Sequence, residues 1–130
     1  MFSHTTLGVQ DFTRAFAFYD PLLTGLGHRL RFHAPARPWA AWEPADGGRP
    51  LFVIMTPDDG QPASVGNGTM LALLAPNRAT VDQLYAQALR LGGSDAGEPG
   101  LRPDYHPDYY GAYLRDPDGN KLCLVCHDPA

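Results

Sequence analysis

Tyr113-Leu114-Arg115-Asp116-Pro117-Asp118-Gly119-Asn120-Lys121-Leu122-Cys123-Leu124-Val125 reads as a β-hairpin. Pro117 presets φ for the second position of a turn, Asp116 before it offers a side-chain acceptor, and Gly119 can take the left-handed φ that closes the connection. The flanks alternate, with Leu114 on one side and Leu122 and Leu124 on the other. Neighbours along a strand point to opposite faces, so Leu122 and Leu124 share one face while Lys121, Cys123 and Val125 share the other. If the leucine face packs on a helix, Cys123 looks toward a cleft or solvent.

Upstream, Ser94 to Asp108 is rich in Pro and Gly and leaves room for at most one short strand. Before it lies a helix whose stripe is Val81, Leu84, Tyr85, Ala88 and Leu91. Asn77 or Thr80 caps it, Thr80 with Gln83 also fitting a capping box, and Gly92-Gly93 ends it. Thr69 to Ala75 reads as a strand, entered through Gly66-Asn67-Gly68. The first half has the same plan. His4 to Val9 is a strand with His4, Thr6 and Gly8 on one face, and Asp11 caps a helix with Phe12, Ala15, Phe16, Tyr19, Leu22, Leu23 and Leu26 at helical spacing. Pro21 is expected to loosen its last turns. Gly25 and Gly27 end it, and strands follow at His28–His33, Trp39–Glu43 and Leu51–Thr56. The last of these is apolar throughout and so buried on both faces.

At a shift of 66 residues His4 falls on Met70, Asp11 on Asn77, Phe18 on Leu84, Tyr19 on Tyr85 and Gly27 on Gly93. Strand, cap, helix and glycine stop recur in register. The expected fold is α+β: one domain over 1–130 built as two βαβββ modules, 1–57 and 66–130, forming curved mixed sheets around a cleft. Neither half buries much surface alone, so a sheet shared by both and a ligand site in the concavity between them are expected.

Composition narrows the function classes. A chain of 130 residues with 44% hydrophobic and 18% charged residues is a globular domain. A net charge of −4 with no basic run gives no reason to expect nucleic acid; it would tolerate a cationic guest but is too small to argue for one. No apolar run approaches a membrane span, and no signal peptide is read. Cys123 and Cys126, three apart on one strand, point to opposite faces and make neither a chelate nor a disulfide, which favours a reduced, cytoplasmic protein. There is no Gly-x-Ser-x-Gly elbow, and Gly66-Asn67-Gly68 lacks the lysine of a phosphate loop.

The chain resembles the vicinal oxygen chelate superfamily, which includes glyoxalase I, bleomycin-resistance proteins and extradiol dioxygenases. The resemblance rests on His4 with Leu7-Gly8-Val9, Asp11 to Tyr19, Gly66-Asn67-Gly68-Thr69, Ala75-Pro76-Asn77-Arg78-Ala79-Thr80-Val81, Gly92-Gly93, Tyr105-His106-Pro107, and Tyr110-Gly111-Ala112-Tyr113 leading into Asp116-Pro117-Asp118-Gly119-Asn120. Metal-dependent members hold a divalent ion with His and Glu from the first and last strands of each module. Carried over, those positions are His4, Met70, Cys123 and Val53, or Met55 if the register slips. Met70 stands where His is usual, Cys123 where Glu is usual, and Val53 offers no donor. A catalytic divalent ion needs about three protein ligands, so no metal and no cofactor is expected; His4, Met70 and Cys123 form at most a soft, copper-type set.

The resemblance therefore implies a metal-free small-molecule binding protein, acting as a homodimer, without nucleic-acid or membrane partners. Its ligand-binding residues are taken as His4, Met70, Cys123, Tyr105 and Tyr110, with His4 the candidate acid–base group. The polar-aromatic run Tyr105 to Tyr110 would lie over the cleft entrance. The alternative is a metal-dependent lyase, isomerase or dioxygenase with an altered ligand set. Arg115 and Lys121 read as solvated charges flanking the turn, and His127 as a surface residue.

Overall fold

A computed structural model describes residues 1–130. It divides into two compact units, Met1–Val65 and Gly66–Ala130. The first carries β1 (His4–Gly8), α1 (Phe12–Gly25), β2 (Arg29–Ala34), β3 (Trp39–Glu43) and β4 (Leu51–Met55). The second carries β5 (Met70–Leu74), α2 (Arg78–Arg90), β6 (Ser94–Leu101), β7 (Tyr110–Arg115) and β8 (Lys121–Cys126). The sheet orders are β1-β4-β3-β2 and β5-β8-β7-β6. In each sheet the first strand pairs in parallel with the last, and the other pairs are antiparallel. The fold is thus α+β, two βαβββ modules with mixed sheets. Each unit builds a four-stranded sheet of its own, where the sequence leads one to expect a sheet shared by both.

The helix ends show the same local chemistry twice. The Asp11 carboxylate accepts from the Arg14 N–H at 3.1 Å, and the Asn77 carbonyl oxygen from the Thr80 N–H at 2.8 Å. Each thereby satisfies an N–H that has no partner within the helix. Asn77, not Thr80, is therefore the cap; the Thr80 hydroxyl donates to the same Asn77 oxygen. At the other end Gly27, at φ +95°, follows Leu26; its N–H bonds Thr24 O and that of His28 bonds Leu23 O. Gly92, at φ +102°, repeats this, with its N–H on Leu89 O and that of Gly93 on Ala88 O. These are Schellman stops, which need the left-handed φ that glycine tolerates. Gly27 therefore matches Gly92, not Gly93, because α2 is one residue shorter than α1. Leu91, assigned above to the buried stripe, is the cap residue and is exposed.

The apolar stripe of α1 packs against one face of its sheet. Phe18, Tyr19, Leu22 and Leu23 are fully buried, and the Tyr19 and Phe52 rings lie 5.3 Å apart. Phe16 sits at the margin, half-buried, stacked on His33 at 3.9 Å and on Trp42 at 5.7 Å. Trp42 belongs to this core, and its indole N–H donates to Asp20 Oδ1 at 2.9 Å. Trp39, three residues earlier, faces the other way and packs on Phe32 at 4.6 Å under the Arg37 guanidinium. α1 runs through Pro21 to Gly25, with the Thr24 hydroxyl donating to Asp20 O at 2.7 Å.

Ser94–Leu101 forms an eight-residue strand, longer than the Pro/Gly content leads one to expect. It is an edge strand paired with β7 only, and the pairing slips between Asp95 and Gly97 and again between Gly97 and Gly100. An edge position and irregular pairing are where a strand accepts Pro99 and two glycines.

The β7–β8 hairpin is closed by Asp116. Its Oδ1 accepts from the N–H groups of Asp118 and Asn120, both at 2.9 Å, and its Oδ2 from the Asn120 amide at 2.9 Å. Its backbone pairs with Asn120 O and with the Gly119 N–H, Gly119 standing at φ +97°. Asp116 and Asn120 are both buried. The carboxylate thus satisfies three N–H groups, and leaving a buried donor unpaired costs about 1–3 kcal/mol. Replacing Asp116 by Ala is expected to lower the unfolding free energy by about 2–3 kcal/mol on that scale, and Asp116→Asn by less. Urea denaturation followed by circular dichroism checks this; an unchanged midpoint for Asp116→Ala would contradict it.

Candidate ligand-binding site

Strand alternation in the second unit sorts the side chains of β7 and β8 into two sets. Tyr110, Ala112 and Leu114 share a face with Leu122, Leu124 and Cys126. The Tyr110 hydroxyl donates to Asp82 Oδ1 on α2 at 2.6 Å, and the Arg78 guanidinium lies 5.4 Å from its ring, so this face is the one α2 covers. Tyr113, paired with Cys123, points the opposite way, as does Lys121. Tyr109, just ahead of β7, joins them: its hydroxyl bonds that of Tyr113 at 2.9 Å and the Cys123 sulfur at 3.5 Å.

On this second face lies a hollow of about 650 Å³. Tyr105, Tyr109 and Tyr113 line it together with His106 and His127, and Met70, Ala96 and Lys121 complete it. Two glycines let the tyrosine rings lie against backbone. A Cβ on Gly111 would stand 2.8 Å from the Tyr109 ring, and one on Gly97 would stand 3.0 Å from the Tyr113 ring. The Lys121 ammonium and the Arg102 guanidinium lie 5.5 and 5.6 Å from the Tyr113 ring centre. Arg102 is itself tied down by donation to Glu98 O at 2.7 Å.

The imidazole pair has a defined proton arrangement. The Asp108 N–H donates to His106 Nδ1 at 3.1 Å, so that nitrogen is unprotonated and the His106 proton sits on Nε2. Nε2 lies 2.8 Å from His127 Nδ1 and donates to it, which places the His127 proton on its Nε2. This bond ties the loop before β7 to the residue just after β8.

Burial sets the protonation of the inner groups. Desolvation first, and then the bonds to Cys123 and Tyr113, push the Tyr109 phenol far above its ordinary value. Desolvation likewise raises Tyr113, and it raises the Cys123 thiol despite the opposing Tyr109 and Tyr113 hydroxyls. At neutral pH all three are uncharged hydrogen-bonding groups. On the helix side, Tyr85 is pushed up to about 12, by burial and by its 2.7 Å bond to Asp95.

The residues singled out from sequence are placed as follows. Met70 and Tyr105 line the hollow, Tyr105 with 66% of its surface exposed. Cys123 lies beneath Tyr109 with no exposed surface. Tyr110 is turned to α2 and is not part of the hollow. His4, in the first unit, is exposed on β1, its Nδ1 2.9 Å from the Ser3 hydroxyl. Val53 lies in an apolar cluster with Ala41 and Leu51, and Met55 ends β4 half-buried. Tyr109 and His106 belong to the Tyr105–Tyr110 run expected over the cleft, and both line the hollow, whereas sequence reasoning missed Tyr113, His127 and Lys121 as lining residues. Counting alternation back from Leu114 would have found Tyr113 and excluded Tyr110.

Comparison with known proteins decides the family. The glyoxalase/bleomycin resistance protein/dioxygenase superfamily matches residues 1–124. The chain belongs to this superfamily. A glyoxalase/bleomycin resistance protein from Albidiferax ferrireducens T118 is similar in structure, with a TM-score of 0.80, 36% identity, and 98% of this chain and 99% of that one covered. A glyoxalase/bleomycin resistance protein/dioxygenase family enzyme from Burkholderia phytofirmans PsJN shares the fold at a TM-score of 0.73 and 16% identity, covering 97% of this chain and 98% of that one. The lactoylglutathione lyase from Agrobacterium tumefaciens does so at 0.65 and 20% identity, covering 97% and 92%. No curated protein matches the chain. No helix is long and apolar enough to cross a membrane.

Metal-dependent superfamily members hold a divalent ion, and the residues here do not fit one. No group of three or more His, Cys, Asp or Glu side chains is gathered to hold a metal. Val53 carries no donor atom, the Cys123 thiol is buried and bound to Tyr109, and the ammonium of Lys121 on the same strand face opposes a cation.

The same geometry makes Cys123 unreactive, since the thiolate is the nucleophile and burial disfavours it. Native protein at pH 8 is expected to release thiolate from a disulfide reagent at least tenfold more slowly at Cys123 than the urea-unfolded chain does. Tyr109→Ala should speed that reaction. Mass spectrometry of the labelled peptide, which separates Cys123 from Cys126, is the check; rapid native labelling of Cys123 would contradict the burial.

Proposed function

We propose that the chain is a metal-free small-molecule binding protein of the glyoxalase/bleomycin-resistance type, and that the hollow of its second unit takes the ligand. The observation that carries the reading is the hollow itself: about 650 Å³, walled by three tyrosines and two histidines with one ammonium at its edge. That volume matches a drug-sized guest, and a mostly aromatic wall with a few polar groups is what such guests bind. Tyrosine supplies apolar area with little conformational freedom to lose. The donor set supports binding without a metal, because Met70, Cys123 and Val53 put sulfur or apolar groups at three of the four positions where His or Glu is usual in the superfamily. His4 then plays no part as a ligand to an ion.

A fragment library observed by amide NMR tests this. Hits are expected to shift residues 105–113 and 121–127, and Tyr113→Ala should weaken them by tenfold or more while the circular dichroism spectrum is kept. Hits that map elsewhere would overturn the reading. So would stoichiometric Zn²⁺, Ni²⁺ or Fe²⁺ in the purified protein that is lost in His4→Ala.

A further inference from the structure

The charge and shape of the hollow define a ligand class, an inference that rests on the reading of the hollow as a binding site. We propose that it takes a planar conjugated anion, an aryl carboxylate being the simplest case, with the anionic group between the Lys121 ammonium and the Tyr113 hydroxyl.

Charge comes first. The lining includes an ammonium, three phenols and two imidazoles, and no carboxylate. This holds in a chain whose net charge is −4, so the hollow runs against the average of the molecule. The nearby Arg102 guanidinium adds a second positive group beside the Tyr113 ring. A cationic guest would meet like charge and find no counterion, while an anion gains charge-assisted hydrogen bonds.

Hydrogen bonding gives direction. Tyr113, Tyr109 and Cys123 form a chain of links at 2.9 and 3.5 Å, with the thiol at its buried end. An anion beside Tyr113 selects one order along the chain: Cys123 S–H donates to Tyr109, Tyr109 O–H to Tyr113, and Tyr113 O–H to the anion. The phenols keep their protons at neutral pH, so they remain donors. A neutral guest gains less from the same order, and a cation reverses it.

Shape completes the argument. The Tyr105 and Tyr109 rings lie 4.8 Å apart, tilted by 56°, and His106 stands edge-on to Tyr109 at 5.7 Å, so aromatic rings make up most of the lining. Gly97 and Gly111 let the Tyr113 and Tyr109 rings press on backbone, so those two rings are held in place. A ring-lined hollow with two of its tyrosines held in place favours a flat guest that can stack on a ring over a branched aliphatic one.

The test titrates 2-naphthoate, 2-naphthamide and 2-naphthylmethylammonium into the full chain by calorimetry, with amide NMR to locate each. Naphthoate is expected to bind at least tenfold tighter than the amide, with the ammonium weakest. Lys121→Met should bring the naphthoate-to-naphthamide ratio close to one, and Tyr113→Phe should reduce it severalfold. Urea midpoints of both variants confirm that they fold. Equal affinity for naphthoate and naphthamide, or a preference that survives Lys121→Met, overturns the anion assignment while leaving the hollow as a binding site. No binding of any naphthyl compound overturns the planar-anion class, and the fragment library then judges the site by itself. Library hits mapping elsewhere would overturn the site as well as the class.

Discussion

The three hydrogen bonds accepted by the Asp116 carboxylate fix the register of β7 on β8. A strand shows side chains to alternate faces, so a slip of one residue would send every side chain to the wrong side. With the register held, Leu114, Leu122 and Leu124 are buried on the α2 side while Tyr113, Lys121 and Cys123 stand on the other. Core and candidate site are two sides of one hairpin. A short buried polar turn therefore sets both the packing of the second unit and the chemistry of its hollow.

The hollow is built from aromatic rings pressed against backbone where glycine leaves room, and from polar groups that are mostly satisfied by one another. Tyr109 bridges Tyr113 and Cys123, and His106 bridges the Asp108 N–H and His127. Such interlocked groups are costly to leave unpaired and so hold one another in place. Burial keeps the thiol and both phenols protonated. Protonated, they suit hydrogen bonding to a guest better than nucleophilic attack or coordination of an ion.

Much of the fold was legible in the sequence because its signals are local. Asp11 and Asn77 as caps, Gly27 and Gly92 as stops, and the alternation of Leu122 and Leu124 each need only neighbouring residues to be read. The β6 strand was harder, since Gly97, Pro99 and Gly100 argue locally against a strand and are tolerated only because it lies at the sheet edge. The lining of the candidate hollow was legible in part. Tyr105 and Met70 do line the hollow, but Tyr110 was chosen from its aromatic neighbours without following the strand parity that turns it to α2. Lys121 looked like a solvated charge because its partner, the Tyr113 ring, is brought to it by the hairpin; His127 is exposed, as the sequence suggests, but the loop before β7 brings His106 to it. Family positions alone pointed to His4, Met70, Cys123 and Val53, of which Met70 lines the hollow, whereas the polar groups of the hollow come from a different set of residues.

The most direct test of the strand parity is a set of nuclear Overhauser contacts from the tyrosine rings of uniformly labelled protein. The account predicts contacts from the Tyr113 and Tyr109 rings to the Cys123 β-protons, and from the Tyr110 ring to the side chains of Asp82 and Arg78. Contacts from the Tyr113 ring to α2, or from the Tyr110 ring to Cys123, would contradict it and remove the basis for the hollow.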